Sequence, residues 1–141
     1  MRSTSADVEL ASHLRIALAR TARRLRQEAG TGLSPSQTAA LATIERHGPL
    51  TPSELAARER IQRPTAAGLL GRLEEAGLVT RTASAFDRRS ALIAITPAGS
   101  KLLAAARTRK DAFLSERLEA LGAEDRATLE RAATLLEGML E

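Results

Sequence analysis

The residues best equipped for chemistry in this chain are arginines set among small polar partners. Gln62, Arg63, Thr65, Gly68 and Arg72 fall within one short segment, and Arg81, Asp87, Arg88 and Arg89 follow close behind. A guanidinium offers a planar fork of donors that fits two phosphate oxygens, or the O6 and N7 of guanine. Gln pairs with adenine, and Thr bonds phosphate or touches a thymine methyl. Gly68 has no side chain, so a backbone there can approach a ligand closely. Between residues 55 and 90 the arginines 58, 60, 63, 72, 81, 88 and 89 face only Glu59, Glu74, Glu75 and Asp87. Three of the four net positive charges of the whole chain therefore lie in about a quarter of its length, and that concentration favours a polyanion.

Other chemistries have less to work with. There is no cysteine, which excludes disulfides, thiolate catalysis and zinc fingers. The two histidines, His13 and His47, stand far apart in sequence and are expected at the surface or at helix ends, not as metal ligands. No nucleophile with its base and no paired-carboxylate constellation is evident, so an enzyme is not expected, nor is a cofactor. No apolar run reaches the roughly 20 residues of a membrane span, and no secretory leader is seen. The expectation is a soluble, cytoplasmic protein.

The elements that must position these arginines are marked by helix-start signals. Ser34-Pro35-Ser36-Gln37 and Thr51-Pro52-Ser53-Glu54 read as capping boxes with Pro in the first turn. Thr96-Pro97 starts another helix, and Pro64 a further one with Arg63 as its cap; Gly48, Gly77 and Gly122 read as stops. The marks predict helices at about 6–29, 35–47, 52–59, 63–76, 97–120 and 123–140. Strands are predicted at Leu78–Arg81 and Ala91–Ile95, with Leu50 adding one residue at the edge. Helix, helix, helix and hairpin over residues 35–96 make a winged helix-turn-helix, with Arg60-Ile61-Gln62 as its tight turn. The fold class is mainly α with a small antiparallel β-hairpin wing.

In this arrangement the second short helix enters the major groove of duplex DNA with its first turns, where Gln62, Arg63 and Thr65 stand. The wing tip reaches toward the adjacent minor groove, with Arg89 inserted, Asp87 bracing it, and Arg81 and Arg88 meeting phosphates. The alternative for the tip is a solvated turn with a weak surface ion pair.

Outside this lobe, residues 1–34 and 97–141 carry three apolar stripes. They comprise Leu10, Leu14, Ala17, Leu18 and Leu25; then Leu102, Leu103, Ala106, Phe113, Leu114, Leu118 and Leu121; then Leu129, Leu135, Leu136, Met139 and Leu140. A lobe of about 60 residues cannot cover them all, so pairing across a two-fold axis into a homodimer is expected. The alternative is a monomeric bundle folded onto the lobe.

The run Leu50-Thr51-Pro52-Ser53-Glu54-Leu55-Ala56, then Leu73-Glu74-Glu75-Ala76-Gly77-Leu78-Val79-Thr80-Arg81, then Asp87-Arg88-Arg89, then Ile95-Thr96-Pro97-Ala98-Gly99 resembles the MarR family of bacterial transcriptional regulators. Ile95 stands where Leu is usual. The resemblance implies a homodimer built by the first helix and the last two, binding a pseudo-palindromic operator and commonly repressing. It places Arg89 in the minor groove with Asp87 as its brace, and assigns Arg81 to the position after the helix-strand turn. Where family recognition helices often show Thr-Arg, this chain has Ala67-Gly68, which moves the expected base contacts to Arg63 and Thr65. The resemblance also implies release by a small aromatic or phenolic effector; with two Phe and no Tyr or Trp, any pocket here is aliphatic with Arg or His at its edge. The competing function is a winged helix used for protein contacts without DNA, against which the charged wing tip argues.

Overall fold

A computed structural model describes residues 2–83 and 91–141 of the chain. Six helices and one hairpin follow in the order α1 (Ser5–Ala29), α2 (Pro35–His47), α3 (Pro52–Glu59), α4 (Arg63–Glu75), β1 (Val79–Ala83), β2 (Ala91–Ile95), α5 (Pro97–Glu119) and α6 (Ala123–Met139). The residues divide into two compact units, one of Ala29–Arg107 and one of Met1–Glu28 with Thr108–Glu141.

Local side-chain chemistry explains most helix starts. The Ser34 hydroxyl accepts from the Gln37 amide at 3.1 Å, and the Gln37 side chain accepts from the Ser34 amide at 2.9 Å. This closes the expected box. Thr51 accepts from the Glu54 amide at 3.1 Å, with no return bond from Glu54 among the described residues. A start that the sequence reading passed over opens α1. There Thr4 and Asp7 cap each other reciprocally, and the Thr4 backbone amide holds the Asp7 carboxyl below its usual range. At α4 the cap is Gln62, not Arg63, and its side chain makes no capping bond. Pro64 therefore sits one place deeper in the first turn than expected. Gly122 also differs from expectation: α5 has already ended at Glu119, and Gly122 precedes α6 in extended conformation.

The core of the unit Ala29–Arg107 gathers Leu41 and Ile44 from α2, Leu55 from α3, Leu70 and Leu73 from α4, and Val79 and Ile93 from the hairpin. On α4, Ala66, Leu70 and Leu73 are fully buried at the three- and four-residue spacings that define one helix face. The strands pair antiparallel with Val79 opposite Ile95 and Arg81 opposite Ile93. Leu50 exchanges both backbone bonds with Ile93, at 3.0 and 2.7 Å, and so forms the expected edge contact. Leu103 and Ala106, which the sequence places in an outer stripe, are buried at 3% and 2% within this unit. The first turns of α5 belong to this unit, where Leu103 joins its core cluster.

Two junctions hold the hairpin in place. Gly77 ends α4 with φ of 74°, a left-handed conformation that glycine adopts freely. The Thr96 hydroxyl donates to the Gly77 carbonyl at 2.7 Å and accepts from the Gly99 amide at 3.1 Å, which caps α5 and ties it to that turn. A Cβ on Gly99 would collide with the Leu78 carbonyl oxygen and stand 2.7 Å from Ile95 Cγ1, so glycine is required there by close approach.

The turn between α3 and α4 has a different character. Arg60 stands at φ 55° and ψ 46°, a left-handed conformation that costs a non-glycine residue roughly 1–2 kcal/mol. The Arg60 amide bonds back to Ala57 and the Ile61 amide to Ala56, which completes the helix end.

The unit of α1, the second half of α5 and α6 is thinly covered. Leu14, Leu25, Phe113, Leu118 and Leu136 are half-buried in it. The guanidinium groups of Arg24 and Arg117 each lie over the Phe113 ring, their carbons 5.2 and 4.3 Å from its centroid. Val8, Leu10, Ile16, Leu18, Leu129, Leu135, Met139 and Leu140 remain between 46% and 88% exposed.

Candidate nucleic-acid interface

Packing fixes which face of α4 looks outward. With Ala66, Leu70 and Leu73 turned into the core, the geometry of 3.6 residues per turn puts Pro64, Gly68 and Gly71 on the opposite side. Thr65 and Arg72 share one flank of that outer line, and Arg63 with Ala67 the other. Gln62, Arg63, Thr65, Gly68 and Arg72 are all exposed, and among the described residues neither arginine has an ion-pair partner. The fold thus leaves each of the five recognition residues exposed, with Arg63 and Arg72 on opposite flanks of α4, and among the described residues it uses none of their side chains itself. Guanidinium groups on either side of a smooth ridge can bond phosphates along one edge and base edges along the other.

A Cβ built on Gly68 meets nothing within 4 Å. The residue also costs the helix about 1 kcal/mol relative to Ala. Gly68→Ala is therefore expected to raise the stability of the free protein by about 0.5–1 kcal/mol, read from urea unfolding. If close approach of DNA is what the position serves, the same variant binds duplex more weakly than wild type. A variant both more stable and equally tight would remove Gly68 from the interface.

Arg81 sits on β1, exposed, and its Nε lies 3.3 Å from Glu74 Oε2 on α4. Both side chains are about half exposed, at 42% and 46%, so the pair contributes little stability. Its effect is directional. Glu74 engages the inner edge of the guanidinium and links the wing strand to the last turn of the recognition helix. Sequence reasoning assigned Glu74 no partner. Asp87, Arg88 and Arg89 lie outside the described residues.

Elsewhere in this unit, the Thr43 hydroxyl donates to the Glu59 carboxylate, joining α2 to the last turn of α3. An open hollow of about 610 Å³ is lined by Ala42, Thr43, Glu45, Arg46, His47 and Arg107, with Arg107 and Glu45 paired at 2.9 Å. His13 is exposed on α1. Among the described residues no three His, Asp or Glu side chains gather as a metal site, and no helix is long and apolar enough to cross a membrane.

Comparison with known proteins places this geometry. Residues 31–90 match the MarR family. An uncharacterised HTH-type transcriptional regulator of Mycobacterium bovis is 35% identical over 136 residues, covering 96% of this chain and 95% of its own. The solved structure of a transcriptional regulator candidate from Pseudomonas aeruginosa matches with a TM-score of 0.86 at 36% identity, over 97% of this chain and 98% of its own. A variant of MepR from Staphylococcus aureus, solved bound to an oligodeoxyribonucleotide, shares the fold with a TM-score of 0.73 at 22% identity, over 94% of this chain and 98% of its own.

Proposed function

The chain belongs to the MarR family of DNA-binding transcriptional regulators, and from that premise we propose that two copies pair and grip a pseudo-palindromic operator as a repressor. Each α4 lies in a major groove and each wing reaches the neighbouring minor groove. The observation that carries the reading is that Arg63, Thr65 and Arg72 of α4 are exposed and left unused by the fold, while Glu74 ties Arg81 of the wing strand to the last turn of the same helix. Pairing is supported by the exposed apolar side chains of α1 and α6, a load that a monomer rarely leaves in water. Two lobes fixed by one dimer call for half-sites one or more helical turns apart. Occupying such a site blocks polymerase access, which is the repressing step.

Within this reading Arg63 contacts bases, Arg72, Arg81 and Arg88 contact phosphates, and Arg89 enters the minor groove with Asp87 holding it. Release by a small aromatic or phenolic effector has a candidate seat in the hollow beside α2, whose Arg46, His47 and Arg107 supply the basic edge. The competing reading, a winged helix that contacts proteins only, differs sharply in one measurement. DNA binding through several phosphates makes the logarithm of affinity fall steeply with the logarithm of salt concentration; absence of binding to random duplex at low salt excludes the DNA reading.

Arg63→Ala and Arg89→Ala test the named contacts. Each is expected to weaken operator binding by about 1–3 kcal/mol, as for an arginine reading a groove, and Arg63→Ala also narrows the gap between operator and random duplex. Equal loss on both duplexes would make Arg63 a phosphate contact. An unchanged dissociation constant for Arg89→Ala at matched salt would take the wing out of the mechanism.

A further inference from the structure

We propose that Arg60, in the turn that precedes α4, is a phosphate anchor of the DNA-binding face; the proposal rests on the DNA reading above. Its backbone is left-handed, at φ 55° and ψ 46°, and it is the only non-glycine residue with positive φ among the described residues. Turns of this motif often hold glycine, which takes the conformation without steric cost. An arginine there weakens the fold and returns nothing to it. The side chain is exposed, with no ion-pair partner among the described residues. By contrast the next residue, Ile61, is half-buried and lines a hollow with Pro35, Ser36 and Leu69. The turn is thus secured by Ile61 and by the backbone bonds to Ala56 and Ala57, and the guanidinium is free for something outside the chain.

Place and chemistry narrow that partner. Arg60 stands three residues before Arg63, where α4 begins. A helix start carries unpaired amides and a positive dipole end, which add to the attraction for an anion arriving there. A strained residue kept where a permissive one would serve points to function. Next to a helix start that already presents exposed Arg63, the anion is a phosphate flanking the bases that α4 reads. A contact of this kind sets register and affinity but carries no sequence information.

The test compares wild type with Arg60→Gly and Arg60→Lys by fluorescence anisotropy, on the selected operator and on random duplex of equal length, over a salt series. Thermal unfolding is followed in parallel. Arg60→Gly is expected to raise the melting midpoint by a few degrees. It is expected to lower affinity for both duplexes by about the same factor, roughly three- to tenfold. The log–log salt slope should shrink by about 0.9 for each chain bound, one phosphate's worth of released counterion. Arg60→Lys keeps the slope. If wild type binds with a steep slope and Arg60→Gly binds with the same slope and affinity, the anchor is disproved while the DNA reading stands. A loss confined to the operator overturns the phosphate role in favour of a base contact. A wild-type protein with no salt-dependent binding removes the DNA reading and Arg60's role with it.

Discussion

Leu135→Arg is expected to split the regulator into single chains and to lower operator affinity by at least about a hundredfold. Leu135 lies on α6 and is 59% exposed in the single chain. A charge there leaves the fold of the chain nearly unaltered, since substitutions at exposed sites away from special features stay within about 0.5 kcal/mol. In the proposed dimer the same position faces apolar side chains of a second copy, and two arginines would be brought together without water or a counter-charge. The affinity effect comes from geometry. A dimer that has placed one lobe presents the second at high effective concentration, and losing that linkage forfeits about 10²–10⁴ in apparent binding. Light scattering, circular dichroism and anisotropy on full and half operators separate the steps. Halved mass with native helicity, weak operator binding and unchanged half-site binding is the expected pattern. A variant that keeps its mass and its affinity would show that α6 is not where the copies meet.

The fold was legible wherever the controlling interaction is short in sequence. Caps at Ser34 and Thr51 act over three residues, and they mark the starts of α2 and α3 correctly. The hairpin follows from the apolar run Ala91–Ile95 and the turn at Gly77. Arg60 could not be read this way, because the usual sequence signal for a left-handed turn is glycine, and an arginine carries none. Gln62 displaced Arg63 as the cap of α4 because proline is tolerated anywhere in a first turn where amides are unpaired, so Pro64 alone does not set the start. Leu103 and Ala106 read as part of an outer stripe because periodicity reports that a face is buried but not what buries it.

The candidate site shows the same division. Each of Gln62, Arg63, Thr65, Gly68 and Arg72 is exposed, while Ala66, Leu70 and Leu73 face the core, but helical spacing sets Arg63 and Arg72 on opposite flanks of α4. The Glu74–Arg81 pair was hidden: seven residues separate them, across a helix end and a strand. Only the reversal at Gly77 brings the carboxylate to 3.3 Å from the guanidinium. A sequence count that cancels their charges misses that the carboxylate aims the arginine.

The recognition helix can be disabled from its inner side as well as its outer side, and the two failures differ. Leu70 is fully buried, with 0% exposure, among Leu41, Leu55, Leu73 and Ile93. Leu70→Ala is expected to cost about 2–5 kcal/mol, through lost transfer energy and the cavity left behind. A domain of this size has about 5–15 kcal/mol in total, so the melting midpoint should fall by roughly 10–30 °C. Operator binding should then fail with warming well before it fails for wild type, because the arginines lose the helix that aims them. At low temperature, where the variant remains folded, its affinity and salt slope should return to near wild-type values, since no interface side chain has changed. Arg63→Ala should show the opposite pattern, with an unaltered midpoint and weakened binding at every temperature. If Leu70→Ala bound operator as weakly as Arg63→Ala while still fully folded, the division of α4 into a supporting face and a reading face would be wrong. If its midpoint moved by only a degree or two, Leu70 would not be the keystone of the core that its burial indicates.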